Sequence, residues 1–276
     1  MSDATKKLQD QVAIVTGAGQ GVGRGIALSM AAAGATVSVL DINGALADEV
    51  ADEITAAGGR AISQHVDIAD DDRLADAVAE LIAEFGQINI LCNNAMANEP
   101  EIVGNDRDVE KTTWEAWDRT LAVDLRAPLA ACRLVIPHMV RQGGGSIVNI
   151  SAIAAMYGDL SHMSYDVAKA GLHALTRSIA TTHGRKNIRA NTVATALILT
   201  DLVQRFMSQE MLDAFEGNWL LPGHCTVEDV TPLVTFLAGP DASWITGQTF
   251  VIDGGATAHQ VWYRDGRTIH PRAFEE

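Results

Sequence analysis

The sequence predicts an α/β fold: one open, doubly wound parallel sheet of seven strands with helices on both faces. Short, almost wholly apolar runs recur along the chain and alternate with stretches of helical period. That pattern marks strands buried on both faces, each followed by a covering helix. No repeat, linker or composition shift interrupts the alternation, which argues for one sheet. The length of 276 residues suits one hydrophobic core and is too short for two full-sized domains with a linker. A single domain over residues 1–276 is therefore expected.

The elements follow in order. Val12–Thr16 is wholly apolar up to its last residue and opens the sheet. Glycines stand at 17, 19, 21 and 23, and a helix over residues 22–33 is closed by Gly34. A second strand over 36–40 ends at Asp41, and a helix over 45–57 stops at Gly58-Gly59. The third strand, 61–66, ends beside Asp67. A helix over 70–85 starts with three aspartates, at the end of the helix dipole that favours them, and Gly86 follows it. The aspartates therefore need no metal to explain them. Strand four, 88–92, runs into Asn93-Asn94. Residues 97–112 are polar and aperiodic and read as a loop. A long helix over 113–141 contains Pro128 and Pro137, which mark kinks or a break. Strand five covers 146–150, and a helix opening at Ser164 ends near His183-Gly184. Strand six covers 188–193. Residues 200–221 read as one or two amphipathic helices bearing Phe206, Met207, Met211, Phe215 and Trp219. Thr226 and Asp229 resemble a capping box for a helix to Ala238, and strand seven covers 248–252.

The formal charge of −15 repels phosphate backbones and anionic lipid heads, so neither nucleic acid nor a membrane is an expected partner. Cys92, Cys132 and Cys225 share no metal or disulfide spacing, as suits a reducing compartment. The first ten residues hold no apolar core of a signal peptide, and no apolar run approaches the roughly 20 residues of a membrane span. A cytoplasmic location is expected.

The chemistry gathers where strands end. Gly17, Gln20, Gly21, Val22 and Gly23 lie between a predicted strand and a predicted helix. Glycine there lets the backbone approach a pyrophosphate, held by free N–H groups at the helix start. Asp41, at the tip of strand two, suits an acid that binds both ribose hydroxyls and repels a 2′-phosphate. Neither Gln20 nor Ile42 supplies a cation for such a phosphate, so NAD is preferred over NADP. Tyr165 and Lys169 stand four apart and share one face of a helix. A nearby ammonium favours the phenolate and makes the pair an acid/base device.

Thr16-Gly17-Ala18-Gly19-Gln20-Gly21-Val22-Gly23, Asn93-Asn94-Ala95 and Tyr165-x-x-x-Lys169 together resemble the short-chain dehydrogenase/reductases. The resemblance runs through Ile245-Thr246-Gly247-Gln248 to Asp253-Gly254-Gly255. It implies a Rossmann-like sheet, an NAD(P) cofactor and a homo-oligomer, dimer or tetramer. By the same resemblance Asp67 and Ile68 sit at the adenine, Asn93 and Ala95 line the cofactor, and Thr200 matches the family's threonine after strand six. Tyr165 would be the catalytic acid/base, and Lys169 would hold the nicotinamide ribose and lower the tyrosine's pKa.

Four positions depart from the family pattern. Met96 stands where the family has glycine. Asp124 stands for an asparagine whose backbone carbonyl serves a proton-relay water; its charge near Lys169 would oppose activation of the tyrosine. The family's catalytic serine falls at Ala152, while Ser151 lies fourteen residues before Tyr165. On a continuing strand Ser151 would point to the other face, unless a bulge turned it inward. Tyr157, Ser161, His162 and Ser164 are substitutes for polarising a carbonyl. Thr195-Ala196 replaces Pro-Gly. The expected function is an NAD-dependent oxidoreductase that interconverts a medium-sized apolar secondary alcohol and its ketone, under a lid over about 197–224. The rivals are a cofactor-binding protein with little redox activity, and a lyase or isomerase using Tyr165 and Lys169. A tail over about 256–276, with Trp262-Tyr263-Arg264, is expected either to pack against a neighbouring subunit or to be disordered.

Overall fold

In the computed structural model, which describes residues 6–260 and 263–265, β1 (Val12–Thr16) is buried at every position. Alternate side chains feed two cores, Ala13 and Val15 on one face of the sheet and Val12 and Ile14 on the other. The chain continues through α1 (Gly21–Ala32), β2 (Thr36–Asp41), α2 (Gly44–Ala56), β3 (Arg60–His65), α3 (Asp71–Phe85) and β4 (Ile90–Asn93). Then come α4 (Pro100–Asn105), α5 (Trp114–Leu121), α6 (Ala127–Arg141), β5 (Gly145–Ala152), α7 (Met163–His183) and β6 (Ile188–Thr195). The described chain closes with α8 (Asp201–Phe206), α9 (Gln209–Glu216), α10 (Val227–Ala238) and β7 (Thr249–Ile252).

The seven strands pair in parallel in the order β3-β2-β1-β4-β5-β6-β7, as the alternation predicts. Residues of α1, α2 and α10 pack on one face, through Ile26, Val50 and Val234 among others. Residues of α3, α6 and α7 pack on the other, through Leu81, Val135 and Ile179. Strand order reverses between β1 and β4, and a crevice opens there beyond the carboxyl ends.

Besides small shifts at other strand ends, three differences from the sequence reading bear on the site. The polar stretch 97–112 contains the short helix α4, with Pro100 in its first turn, where a missing N–H costs nothing. The long helix divides into α5 and α6 around a π-helical segment, Ala122–Arg126. Pro128 explains the break, because it has no N–H to offer the carbonyl four residues back, that of Asp124. Strand β5 runs on to Ala152, two residues further than periodicity indicates, before a 3₁₀ turn over Ile153–Met156. The three aspartates behave as expected: Asp70 accepts the amides of Asp72 and Arg73 at the start of α3.

The segment expected as a lid holds α8 and α9. Its base is fastened where the amides of Leu220 and Leu221 donate to the Gly254 carbonyl, and Trp219 is buried there. The described part of the tail packs on its own chain. His259 Nε2 lies 2.7 Å from the Asn218 carbonyl, and its ring lies 4.4 Å from that of Tyr263. Trp262 lies outside the described residues.

Behind the crevice a buried polar chain ties α7 to the sheet. Asn93 Nδ2 donates to Asn149 Oδ1 at 2.8 Å, and Asn149 Nδ2 donates to Thr176 Oγ1 at 2.8 Å. Thr176 pairs in turn with the Thr192 hydroxyl at 2.7 Å. Replacing Asn149 by Ala removes the oxygen acceptor of the buried Asn93 amide. The substitution should lower unfolding free energy by about 2–4 kcal/mol in urea titrations, with an unchanged slope.

Candidate active site

The crevice is a cleft of about 1850 Å³, larger than a drug-sized pocket of 300–1,000 Å³ and roomy enough for a dinucleotide with a second ligand. Its floor is the glycine turn. Gly17 has φ +61°, and a β-carbon on Gly23 would lie 2.0 Å from the Gly17 carbonyl oxygen. No other residue fits at 23. Asn94 locks this turn by donating from Nδ2 to the carbonyls of Thr16 and Gly17. The Thr16 hydroxyl receives the amides of Asn94 and Ala95. No side chain caps α1 and no acid stands in its first turn, so its leading N–H groups are directed at the cleft, as binding of an anionic phosphate requires.

Asp41 ends β2 beside this turn. Its carboxylate receives the Gly19 and Asn43 amides, each at 2.8 Å, which fixes both oxygens at the cleft wall. Gly17, Gln20, Gly21, Val22, Gly23, Asp41, Ile42, Asp67, Ile68, Ala95 and Thr200 all line the cleft, as the sequence indicates. Thr200 also caps α8 through Val203 N–H. These residues fit a dinucleotide: a cradle kept clear of β-carbons, open helix amides and an acid at the strand tip.

Tyr165 and Lys169 line the same cleft. Lys169 Nζ lies 5.3 Å from the Tyr165 ring centroid, within cation–π range. It also lies 3.3 Å from Asp124 Oδ2 and 3.5 Å from the Ile150 carbonyl. Asp124 is fully buried in the π-helical segment, and its Oδ1 receives the Ala97 amide at 2.7 Å. Burial raises the pKa of this carboxyl, while the Lys169 ammonium and the Ala97 amide oppose the shift. The phenol of Tyr165 is pushed up from its ordinary value by burial first, then by the negative charges of Asp124 and Asp166. The lysine was expected to lower it. Burial raises it instead, and the two carboxylates add to that rise. Asp166 is itself pushed up to about 6, by burial and then by the Asp159 carboxylate.

Two expected placements need correction. Ser151 lies on an unbulged strand, and its hydroxyl faces α7. It donates to the Lys169 carbonyl at 3.2 Å and pairs with His173 Nε2 at 2.9 Å. His173 stands eight residues beyond Tyr165, about 12 Å along the helix axis. The hydroxyl is thus held away from the phenol. Ser151 is still part of the cleft lining, whereas Asn93 is not. Strand alternation turns it toward Asn149 and Cys132, and Asn94 takes the cleft side. Of the four substitute donors, Tyr157 alone lines the cleft. Ser161 pairs with the His162 ring, and Ser164 is buried at the start of α7.

Sequence reading passed over Arg119. Its guanidinium reaches Asp67 Oδ2 at 3.0 Å and Glu99 Oε1 at 2.8 Å, and these two carboxylates hold it above its usual pKa against the opposing effect of burial. No spacing announces this trio, because its members come from three separate segments. Asp106 was missed for the same reason.

Comparison with known proteins agrees with the geometry. The family described as enoyl-(acyl carrier protein) reductase matches residues 17–257. A probable short-chain type dehydrogenase/reductase of Bradyrhizobium diazoefficiens is 39% identical over 94% of this chain and 92% of its own length. Cyclohexanol dehydrogenase of an Acinetobacter species is 34% identical, over 92% and 98%. A structure of 7α-hydroxysteroid dehydrogenase with NADH and 7-oxo glycochenodeoxycholic acid superposes with a TM-score of 0.85 at 32% identity, covering 92% of this chain and 97% of that one. With the parallel sheet, the glycine cradle and the Tyr165–Lys169 pair in one cleft, this chain belongs to the short-chain dehydrogenase/reductases, a family of oxidoreductases that use a nicotinamide cofactor.

Proposed function

We propose that the protein is an NAD-dependent dehydrogenase that interconverts a medium-sized, largely apolar secondary alcohol and its ketone. The observation that carries this reading is the convergence of Tyr165, Lys169 and the glycine cradle on one cleft. The relatives act on a cyclic alcohol and a steroid by name. The cleft walls include Met96, Ile153, Leu199, Leu202, Phe215 and Trp219, which suit an apolar substrate body. Gly17, Gln20, Gly21, Val22 and Gly23 hold the pyrophosphate, Asp41 with Ile42 the adenosine ribose, and Asp67, Ile68 and Ala95 the adenine and its neighbourhood. A bound nicotinamide supplies the hydride acceptor or donor.

Tyr165 takes the hydroxyl proton of the alcohol during oxidation and returns it during reduction. Lys169 orients the nicotinamide ribose and supplies positive charge at the phenol. Asp124 holds Lys169 by its ion pair. Tyr157 is the cleft-lining hydroxyl placed to polarise the carbonyl in place of a serine at 152. The apolar hollow of Leu121, Leu125, Leu129 and Leu175 on α5–α7 supports a homo-oligomer, a dimer or tetramer. Among the described residues no helix is long and apolar enough to cross a membrane, and with three free cysteines a cytoplasmic location is the reading taken.

A second reading, a cofactor-binding protein with little turnover, draws on Asp124 beside Lys169 and on the placement of Ser151. Assay of alcohols and ketones of six to about twenty carbons with NAD(H) separates the two. Turnover on at least one, reduced about 10³-fold or more in Tyr165→Phe, is the expected result. NADH binding without turnover on any member favours the second reading, and turnover untouched by Tyr165→Phe removes the first.

Cofactor choice is tested at Asp41. In Asp41→Asn the repulsion of a 2′-phosphate disappears while one acceptor for Gly19 N–H remains. The ratio of kcat/KM with NADP to that with NAD should rise about tenfold or more. Asp124→Asn keeps an acceptor for Ala97 N–H and removes a negative charge that raises the phenol's pKa. The base form of Tyr165 is then reached at lower pH, so the rising limb of kcat for alcohol oxidation should move to lower pH. Profiles of wild type and variant recorded side by side measure this, and a shift to higher pH contradicts it.

A further inference from the structure

We propose that Asp106, which does not line the cleft, is the positioning residue for Tyr165: with Arg107 it takes the four free amide groups at the start of α7. The first four N–H groups of a helix have no partner within it, and here each is accounted for. His162 N–H donates to the Asp106 carbonyl at 3.0 Å, and Met163 N–H to the Arg107 carbonyl at 3.3 Å. Ser164 N–H donates to Asp106 Oδ1 at 2.9 Å, and Tyr165 N–H to Asp106 Oδ2 at 3.0 Å. The helix's own bonding begins only at Asp166 N–H, which reaches the His162 carbonyl at 3.0 Å.

The residue at the usual capping position cannot do this. His162 has φ +64°, in the left-handed region, and makes no side-chain cap bond; its Nδ1 pairs with the Ser161 hydroxyl at 2.8 Å. The cap comes instead from a loop more than fifty residues earlier, with a carboxylate only 3% exposed. A carboxylate that deep must be hydrogen-bonded, and the amino end of a helix, with its partial positive charge, is a favourable partner. The loop is a firm base: Arg107 N–H is held by the Thr112 hydroxyl at 2.9 Å and Thr113 N–H by the Asn105 carbonyl at 3.2 Å.

One of the clamped amides belongs to Tyr165 itself, so the clamp fixes the backbone that carries the phenol, with Lys169 one turn further on. The cleft lining contains neither Asp106 nor Ser164. A change at 106 therefore touches no reacting atom and acts through the placement of α7, where a displacement of an ångström is enough to slow a proton transfer.

The inference rests on Tyr165 as the acid/base group, and the experiment separates the two. Amide hydrogen exchange is measured on the full chain without cofactor for wild type, Asp106→Asn and Asp106→Ala, together with kcat, KM for NAD and turnover of Tyr165→Phe. In Asp106→Ala the amides of Ser164 and Tyr165 should exchange about tenfold faster or more, and kcat should fall about tenfold while KM for NAD changes less than about twofold. Asp106→Asn keeps one acceptor oxygen and should fall between the two on both measures; it carries the test if the alanine variant does not fold. Wild-type exchange at both amides, or fast exchange with wild-type kcat, overturns the inference. Should Tyr165→Phe retain wild-type turnover, the proposed function fails, and the exchange rates still decide the clamp.

Discussion

Every strand of this sheet points the same way, and that constraint decides where chemistry can occur. Parallel strands sealed between helices leave no solvent-facing side chain along their length, so β1 is apolar until it ends. What the sheet itself contributes to the cleft comes from the carboxyl ends of its strands. Gly17, Asp67, Asn94 and Ala196 stand just past strand ends, and Asp41, Ala152 and Thr195 at their last positions. The reversal of order between β1 and β4 then parts the crossing loops and opens the cleft between them. The close approach of Gly23 to the Gly17 carbonyl is the local cost of running a helix straight out of a buried strand.

Within that cleft the electrostatics oppose each other. A tyrosine that works as a base needs positive charge nearby and little negative charge. Here one ammonium faces the phenol ring while a fully buried carboxylate competes for it. Ion pairing of Lys169 with Asp124 secures a buried charge that would otherwise be costly, since an unpaired ammonium at that depth is strongly disfavoured. The same pairing diverts its influence from the tyrosine. The site is arranged to hold its lysine in place more than to acidify its phenol, and a cofactor's own charges enter a field already balanced.

How much of this was legible in the sequence depends on the range of each interaction. The strands, the glycine turn, Asp41 and the Tyr165–Lys169 pair are written in local periodicity and spacing. Their positions in the structure follow them closely. Ser151 shows both the strength and the limit of that reading: counting by twos along β5 indicates the wrong face, and the structure places the hydroxyl on His173. Asn93 fails for a related reason: as the last residue of β4 it turns into the interior toward Asn149, and Asn94, just past the strand, takes the cleft side. The π-helical segment was only half visible; proline marked a break without saying what form it takes. Contacts between distant segments, such as Arg119 with Asp67 and Glu99, have no local signature at all.

Arg119 also bears on the shape of the cleft. Asp67 follows β3 and Glu99 follows β4, and two strands lie between these in the sheet. The guanidinium is a rigid planar fork that stays charged throughout the range of protein pKa values. Bonded to both, it ties these two loops together in the wall of the cleft. Through that one side chain the loop after β3 and the loop after β4 are coupled, so neither can shift without the other.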